Sequence, residues 1–114
     1  MGYNYNVRSI WFYICADCIN LKTLDVKNQE VMFKNICSFE CDLTSWGIKD
    51  EGRKNFVFPE FILEPKMKVT IWVGEGENTN NKLFWSGENY VWTSTGDTIF
   101  LRDAKNQLAL WESY

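Results

Sequence analysis

The 114-residue sequence contains no histidine. That absence removes every catalytic triad or dyad that uses imidazole as its base, along with the commonest nitrogen ligand for zinc. No apolar run reaches the roughly 18 residues that a membrane-spanning helix needs. Cationic residues are not in excess either: 12 Lys and Arg stand against 15 Asp and Glu, a net charge of −3. Sequence-independent capture of phosphate backbones wants clustered Lys and Arg. Here they are spread out and mixed with acids, as in KDEGRK from Lys49 to Lys54, which reads as a solvated hairpin tip. Nucleic acid is therefore not expected as the main partner. The run IWFYICA, Ile10 to Ala16, has the length of a signal-peptide core. Only Arg8 supplies a basic residue before it, and DCINLK after it is a poor cleavage context. Neither a signal peptide nor a membrane segment is expected, and nothing in the sequence specifies a compartment.

A sustained apolar repeat of helical period is missing too. What replaces it is aromatic weight: 17% of the residues, as 6 Trp, 5 Tyr and 8 Phe, within a hydrophobic content of 46%. Flat rings and β-branched side chains suit pleated, half-buried surfaces. Turn signals recur about every 8 to 14 residues, the spacing of an all-β sandwich or barrel. Strands are expected near Ser9–Ala16, Glu30–Asn35, Ser45–Lys49, Asn55–Phe58, Lys68–Val73, Lys82–Trp85, Asp97–Arg102 and Gln107–Tyr114. Asp103 to Asn106 (DAKN) fits a type I turn followed by a left-handed residue, which Asn tolerates. With no linker or internal repeat, residues 1–114 read as one domain.

Gly74-Glu75-Gly76 follows the strand-like Lys68–Val73, where a phosphate-binding loop can begin. Such a loop needs a third Gly and a helix whose N-terminus faces the phosphates. Here Glu75 and Glu77 would repel phosphate, and ENTNNKLFW runs into another strand. The segment reads as a turn between two strands of a β-sandwich.

From about Glu30 an ordered series of motifs carries a resemblance. EVMFKN (Glu30 to Asn35), DLTSWGIKD (Asp42 to Asp50), FVFPEFILEPKMKVTIWVGEGEN (Phe56 to Asn78) and LFW…VW…GDTIFLRDAKNQLALWESY follow one another. In this order they resemble the lamin-tail domain. The resemblance implies an immunoglobulin-like antiparallel β-sandwich and a non-catalytic interaction module. It is strongest over residues 30–114, and Gly96-Asp97-Thr98 is more similar to the bacterial and archaeal branch than to animal lamins. Ser45, Lys66 and Asn106 stand where that family usually has Gly, and Gln29-Glu30 replaces an acidic-aromatic pair. Because Lys66 disfavours a positive φ, a type I turn is expected after Pro65.

Cys15, Cys18, Cys37 and Cys41 approach the spacing of a four-thiolate zinc site. If the first two strands pair antiparallel, Cys18 and Cys37 end at opposite ends of the sheet, about 20 Å apart at ~3.3 Å per residue. Zinc needs all four sulfurs within about 2.3 Å of one point. Free, buried thiols are the expected state, with disulfides and a zinc-stabilised domain as the alternatives. No cofactor or metal site is expected.

Trp46 is expected in the sandwich core, like the central Trp of immunoglobulin-type domains. Period two puts Val69, Ile71 and Val73 on one face, and Thr70 and Trp72 on the other. Trp85, Tyr90 and Trp92 crowd the SGEN turn. They either pin a long loop by packing or form an aromatic shelf for a glycan or peptide, the reading of a small ligand-binding module. Asp42, Asp50, Asp97 and Asp103 are too dispersed for calcium, and Asp97 is expected to bond backbone amides in a turn. SIWFYICA is apolar on both faces, so it is either covered on both sides or meets a partner. The candidate interaction surface is therefore Trp11, Tyr13, Trp85, Tyr90 and Trp92, facing a protein partner or a second copy.

Overall fold

A computed structural model describes residues 14–114. A short 3-10 turn, Cys15–Asp17, leads into ten strands: β1 Ile19–Asp25, β2 Glu30–Asn35, β3 Cys41–Asp42, β4 Gly47–Lys49, β5 Asn55–Val57, β6 Ile62–Leu63, β7 Lys68–Val73, β8 Lys82–Trp85, β9 Thr98–Arg102 and β10 Leu108–Ser113. One sheet has the order β1-β2-β7-β8, a second the order β10-β9-β4-β5, and β3 pairs with β6 alone. This is the all-β sandwich expected from the turn spacing, of the immunoglobulin-like kind that the resemblance implied. Within it, β2, β7 and β8 keep the expected boundaries, and β4, β5, β9 and β10 lie inside the expected spans.

Alternation builds the core. Val31 and Phe33 on β2, Val69 and Ile71 on β7, and Leu83 and Trp85 on β8 point inward from the first sheet. Ile48, Phe56, Ile99 and Leu101 meet them from the second. Trp46 is buried among them, and Trp72 lies on the outer face beside Phe84. Fully burying one such aliphatic side chain contributes about 1.5–3 kcal/mol, so the inner faces alone decide which way each strand turns.

Three expectations are corrected here. The first concerns the opening strand. Ser9 to Tyr13 lie outside the described residues, and Cys15–Asp17 is a 3-10 turn rather than strand. The strand that pairs with β2 is β1, with Ile19 opposite Asn35 and Asp25 opposite Glu30. Cys18 thus sits where β2 ends, and the Ile36 N–H donates to its carbonyl at 2.8 Å. The separation of about 20 Å disappears. Cys18 is disulfide-bonded to Cys37 and Cys15 to Cys41, leaving no free cysteine. The free thiols, and the zinc-thiolate domain with them, give way to two nested disulfides.

The second is the turn after Pro65. Lys66 has φ +66°, and the Met67 N–H donates to the Glu64 carbonyl at 3.1 Å, the geometry of a type II turn. The Lys66 ammonium donates to the Ile36 carbonyl at 2.6 Å and offsets part of the strain. Ser45 (φ +68°) and Asn106 (φ +67°) are left-handed as well. Asn106 closes the expected final turn, its N–H donating to the Asp103 carbonyl. Ser45 is exposed, and among the described residues no hydrogen bond of its side chain offsets the conformation. Ser45→Gly is expected to raise stability by about 0.5–1 kcal/mol, the left-handed penalty less the added freedom of the unfolded chain. Thermal unfolding checks it by a rise of a few degrees.

The third is strand direction. β7 and β8 run parallel, with Thr70 opposite Lys82 and Val73 opposite Trp85, in an otherwise antiparallel architecture. The segment after Gly74 therefore crosses back along the sheet instead of closing a hairpin. Gly76 lies under the Phe84 ring, where any Cβ would collide with it.

Candidate interaction surface

Trp85 and Trp92 do not form a shelf. They are 3% and 0% exposed, packed edge to face with ring centroids 5.9 Å apart, and Trp85 also meets Phe56 at 5.7 Å. The cause is local. Trp85 continues the inward alternation of β8, and the Gln29 side chain grips the backbone at Trp92. Its Nε2 donates to the Trp92 carbonyl at 2.8 Å, and its Oε1 accepts the Val91 and Trp92 N–H groups at 2.6 and 3.0 Å. Loop-pinning by packing is what the two indoles do. Tyr90 is exposed; its hydroxyl accepts the Ser94 N–H at 3.1 Å, and its carbonyl accepts the Lys54 ammonium at 2.5 Å. Trp11 and Tyr13 lie outside the described residues.

The four aspartates that raised calcium are turn builders. Asp42 accepts the Thr44 N–H at 3.0 Å, and Thr44 holds its carboxyl below the usual range. Asp50 accepts the Lys54 N–H, and Asp103 those of Lys105 and Gln107. Asp97, buried, accepts the N–H groups of Thr98 and Glu51 and so ties the start of β9 to the β4–β5 hairpin. Beside it the Thr98 hydroxyl donates to Glu51 and meets the Ser113 hydroxyl at 2.7 Å.

An open sandwich has four edge strands, and each is blunted. β1 carries a bulge between Leu21 and Thr23, and β10 one between Leu108 and Leu110. β5 is three residues long. The outer edge of β8 is capped by the preceding loop: the Phe84 N–H donates to Asn78 Oδ1 at 2.9 Å, and the Thr79 N–H to the Lys82 carbonyl at 2.7 Å. Bulges, shortness and coverage are the devices that stop strands pairing between molecules. They leave the faces, not the edges, available for contact.

The outer face of the β10-β9-β4-β5 sheet is the apolar one. Cross-strand register lays Leu108, Arg102, Gly47 and Val57 in one row, and Trp111, Phe100, Lys49 and Asn55 in the next. Trp111 is 60% exposed and Val57 56% exposed. Gly47 has no side chain, so a hollow opens between Arg102 and Val57, lined also by Ser45, Lys49 and Asn106. Large aromatics with Arg at hand are what protein interfaces concentrate at their energetic centres. Trp111 was not among the residues selected from sequence. Its signal was there: Leu108-Ala109-Leu110-Trp111 is four apolar residues in succession, and a strand cannot turn all four inward.

The sequence model of one family, described as Lamin Tail Domain, matches residues 20–114. None of the curated proteins matches the chain.

Proposed function

The chain belongs to the lamin tail domain family, and from that premise we propose that it is a non-catalytic protein-interaction module. Residues 1–114 are read as one such domain, and the Gly96-Asp97-Thr98 ending supports the bacterial and archaeal branch. The observation that carries the reading is Trp111, a ring more than half exposed on the outer face of a sheet, opposite Phe100 and sharing that face with Leu108, Val57, Lys49 and Arg102. A flat face with one aromatic anchor, apolar neighbours and two cations suits a protein surface bearing an apolar hollow and a carboxylate. Burial of Trp85 and Trp92 speaks against the aromatic shelf on which the glycan- or peptide-binding alternative rested. Tyr90 is exposed and stays within the contact surface. Trp11 and Tyr13, in the apolar run SIWFYICA, remain the proposed site of self-association. Both disulfides favour an oxidising compartment, where such bonds persist.

Trp111→Ser is the test. Because the ring is largely exposed, stability should change by no more than about 0.5 kcal/mol. Removing an aromatic anchor should lower partner recovery from cells that make the chain by roughly tenfold or more, about 1.4 kcal/mol or above. Equal recovery of the same partner by the folded variant contradicts the reading.

A further inference from the structure

On the opposite side of the sandwich, the outer face of the β1-β2-β7-β8 sheet has a different chemistry. Lys34 and Lys68 are direct partners across β2 and β7, with Asn20 on the far side of Lys34. One row on, Met32 faces Thr70, and Thr70 faces Lys82. Lys22 stands at the β1 bulge. Lys34, Lys68 and Lys82 thus share a face about two strand spacings wide and one residue pair deep, roughly 10 by 7 Å. Among the described residues none of these lysines makes an ion pair; the Lys54–Glu88 contact at 3.7 Å lies elsewhere. Lys82 instead sits 4.9 Å from the Trp72 ring. Like charges directly opposite one another weaken a sheet, so the Lys34–Lys68 pair costs the fold something and gains nothing within it. A chain of net charge −3 has acids to spare for neutralising such a pair, yet among the described residues none comes within ion-pair distance of it.

We infer that this lysine face is a docking surface for a short acidic peptide segment of a partner protein. Charge complementarity sets the sign of the occupant, and the bounds of the patch set its size. Asp25 and Glu30 are cross-strand partners on the same face, just beyond the Met32 row. A nucleic-acid duplex or an anionic membrane extending past the lysines would lie over these carboxylates. A few acidic side chains of an extended peptide, repeating about every 6.6 Å on one side, cover the lysines and stop short of them. The cations are ammonium groups alone, with no guanidinium fork for bidentate phosphate recognition. This surface does not use Trp111, and its failure leaves the Trp111 reading standing.

The test uses the full chain and a fluorophore-labelled octaglutamate peptide. Wild type is expected to bind it, with affinity falling roughly tenfold or more between 50 and 500 mM salt as the charges are screened. Lys68→Glu should abolish binding and at the same time raise Tm by about 2 °C, because it converts a like-charge pair into an opposite-charge one. Lys105→Glu, in the exposed β9–β10 turn, should leave peptide binding intact. Loss of binding together with a gain in stability is an outcome that general unfolding cannot produce. The inference is overturned if wild type does not bind the peptide, if Lys68→Glu binds as well as wild type, or if a 20-base-pair duplex or phosphatidylserine vesicles bind more tightly than the peptide.

Discussion

Gln29→Leu is expected to destabilise the protein by about 4 kcal/mol, although it replaces a polar residue with an apolar one of similar size. Gln29 is 8% exposed and lies in the turn between β1 and β2, yet it works on a loop more than 60 positions away. One side-chain oxygen accepts two backbone N–H groups, Val91 and Trp92, and the amide nitrogen donates to the carbonyls of Val26 and Trp92. Leucine fills the space but leaves the Val91 and Trp92 N–H groups and the Trp92 carbonyl buried without partners. Each such orphaned group costs about 1–3 kcal/mol. The loop would either stay buried at that cost or open to water and uncover Trp92, the largest fully buried side chain. Urea unfolding followed by tryptophan fluorescence measures the loss, and a change below about 1 kcal/mol would show that the loop is held by packing alone.

Reduction of the disulfides carries the second large effect. Cys18–Cys37 and Cys15–Cys41 close loops with sequence separations of 19 and 26. In the chain-entropy account a loop of either size contributes about 3 kcal/mol by restricting the unfolded chain. Cys18→Ala with Cys37→Ala should therefore lower Tm by on the order of 10 °C. The bridges are nested, so once one is closed the other has only a short ring left to constrain. Losing one alone therefore costs less than its full loop term, and removing both should cost more than twice the loss of one. Thiol titration gives the parallel readout: no reactive thiol in the denatured, unreduced protein and four after reduction. Four thiols without reductant would restore the free-cysteine expectation.

What could be read from sequence was whatever depends on neighbours along the chain. β2, β7 and β8 announced themselves by strict alternation, and Trp46 by its place after Asp42-Leu43-Thr44-Ser45. β1 did not, because the bulge at Lys22 puts Leu21 and Leu24 on the same inner face with two residues between them, which breaks the period of two. That one missed strand shifted the first strand toward Ser9–Ala16 and carried the cysteine argument with it. β3 and β6 are two residues each, too short for any periodicity. The aromatic cluster misled for a different reason. Trp85, Tyr90 and Trp92 are close in sequence, but what decides their exposure is Gln29, and no local pattern joins residue 29 to residue 92. Lys66 shows the limit of residue preference: proline before it and the Ile36 carbonyl within reach hold a lysine where glycine is the usual choice.

Partners are expected to meet the outer faces of this sandwich while its tryptophan-rich interior stays closed. The most direct measurement places a photo-crosslinking residue, one position at a time, at Val57, Leu108 and Trp111 on the β10-β9-β4-β5 face and at Lys27 in the β1–β2 turn, in cells that make the chain. The expected result is one protein adduct shared by positions 57, 108 and 111 and missing from position 27. Adducts from position 27 with none from the other three would contradict it.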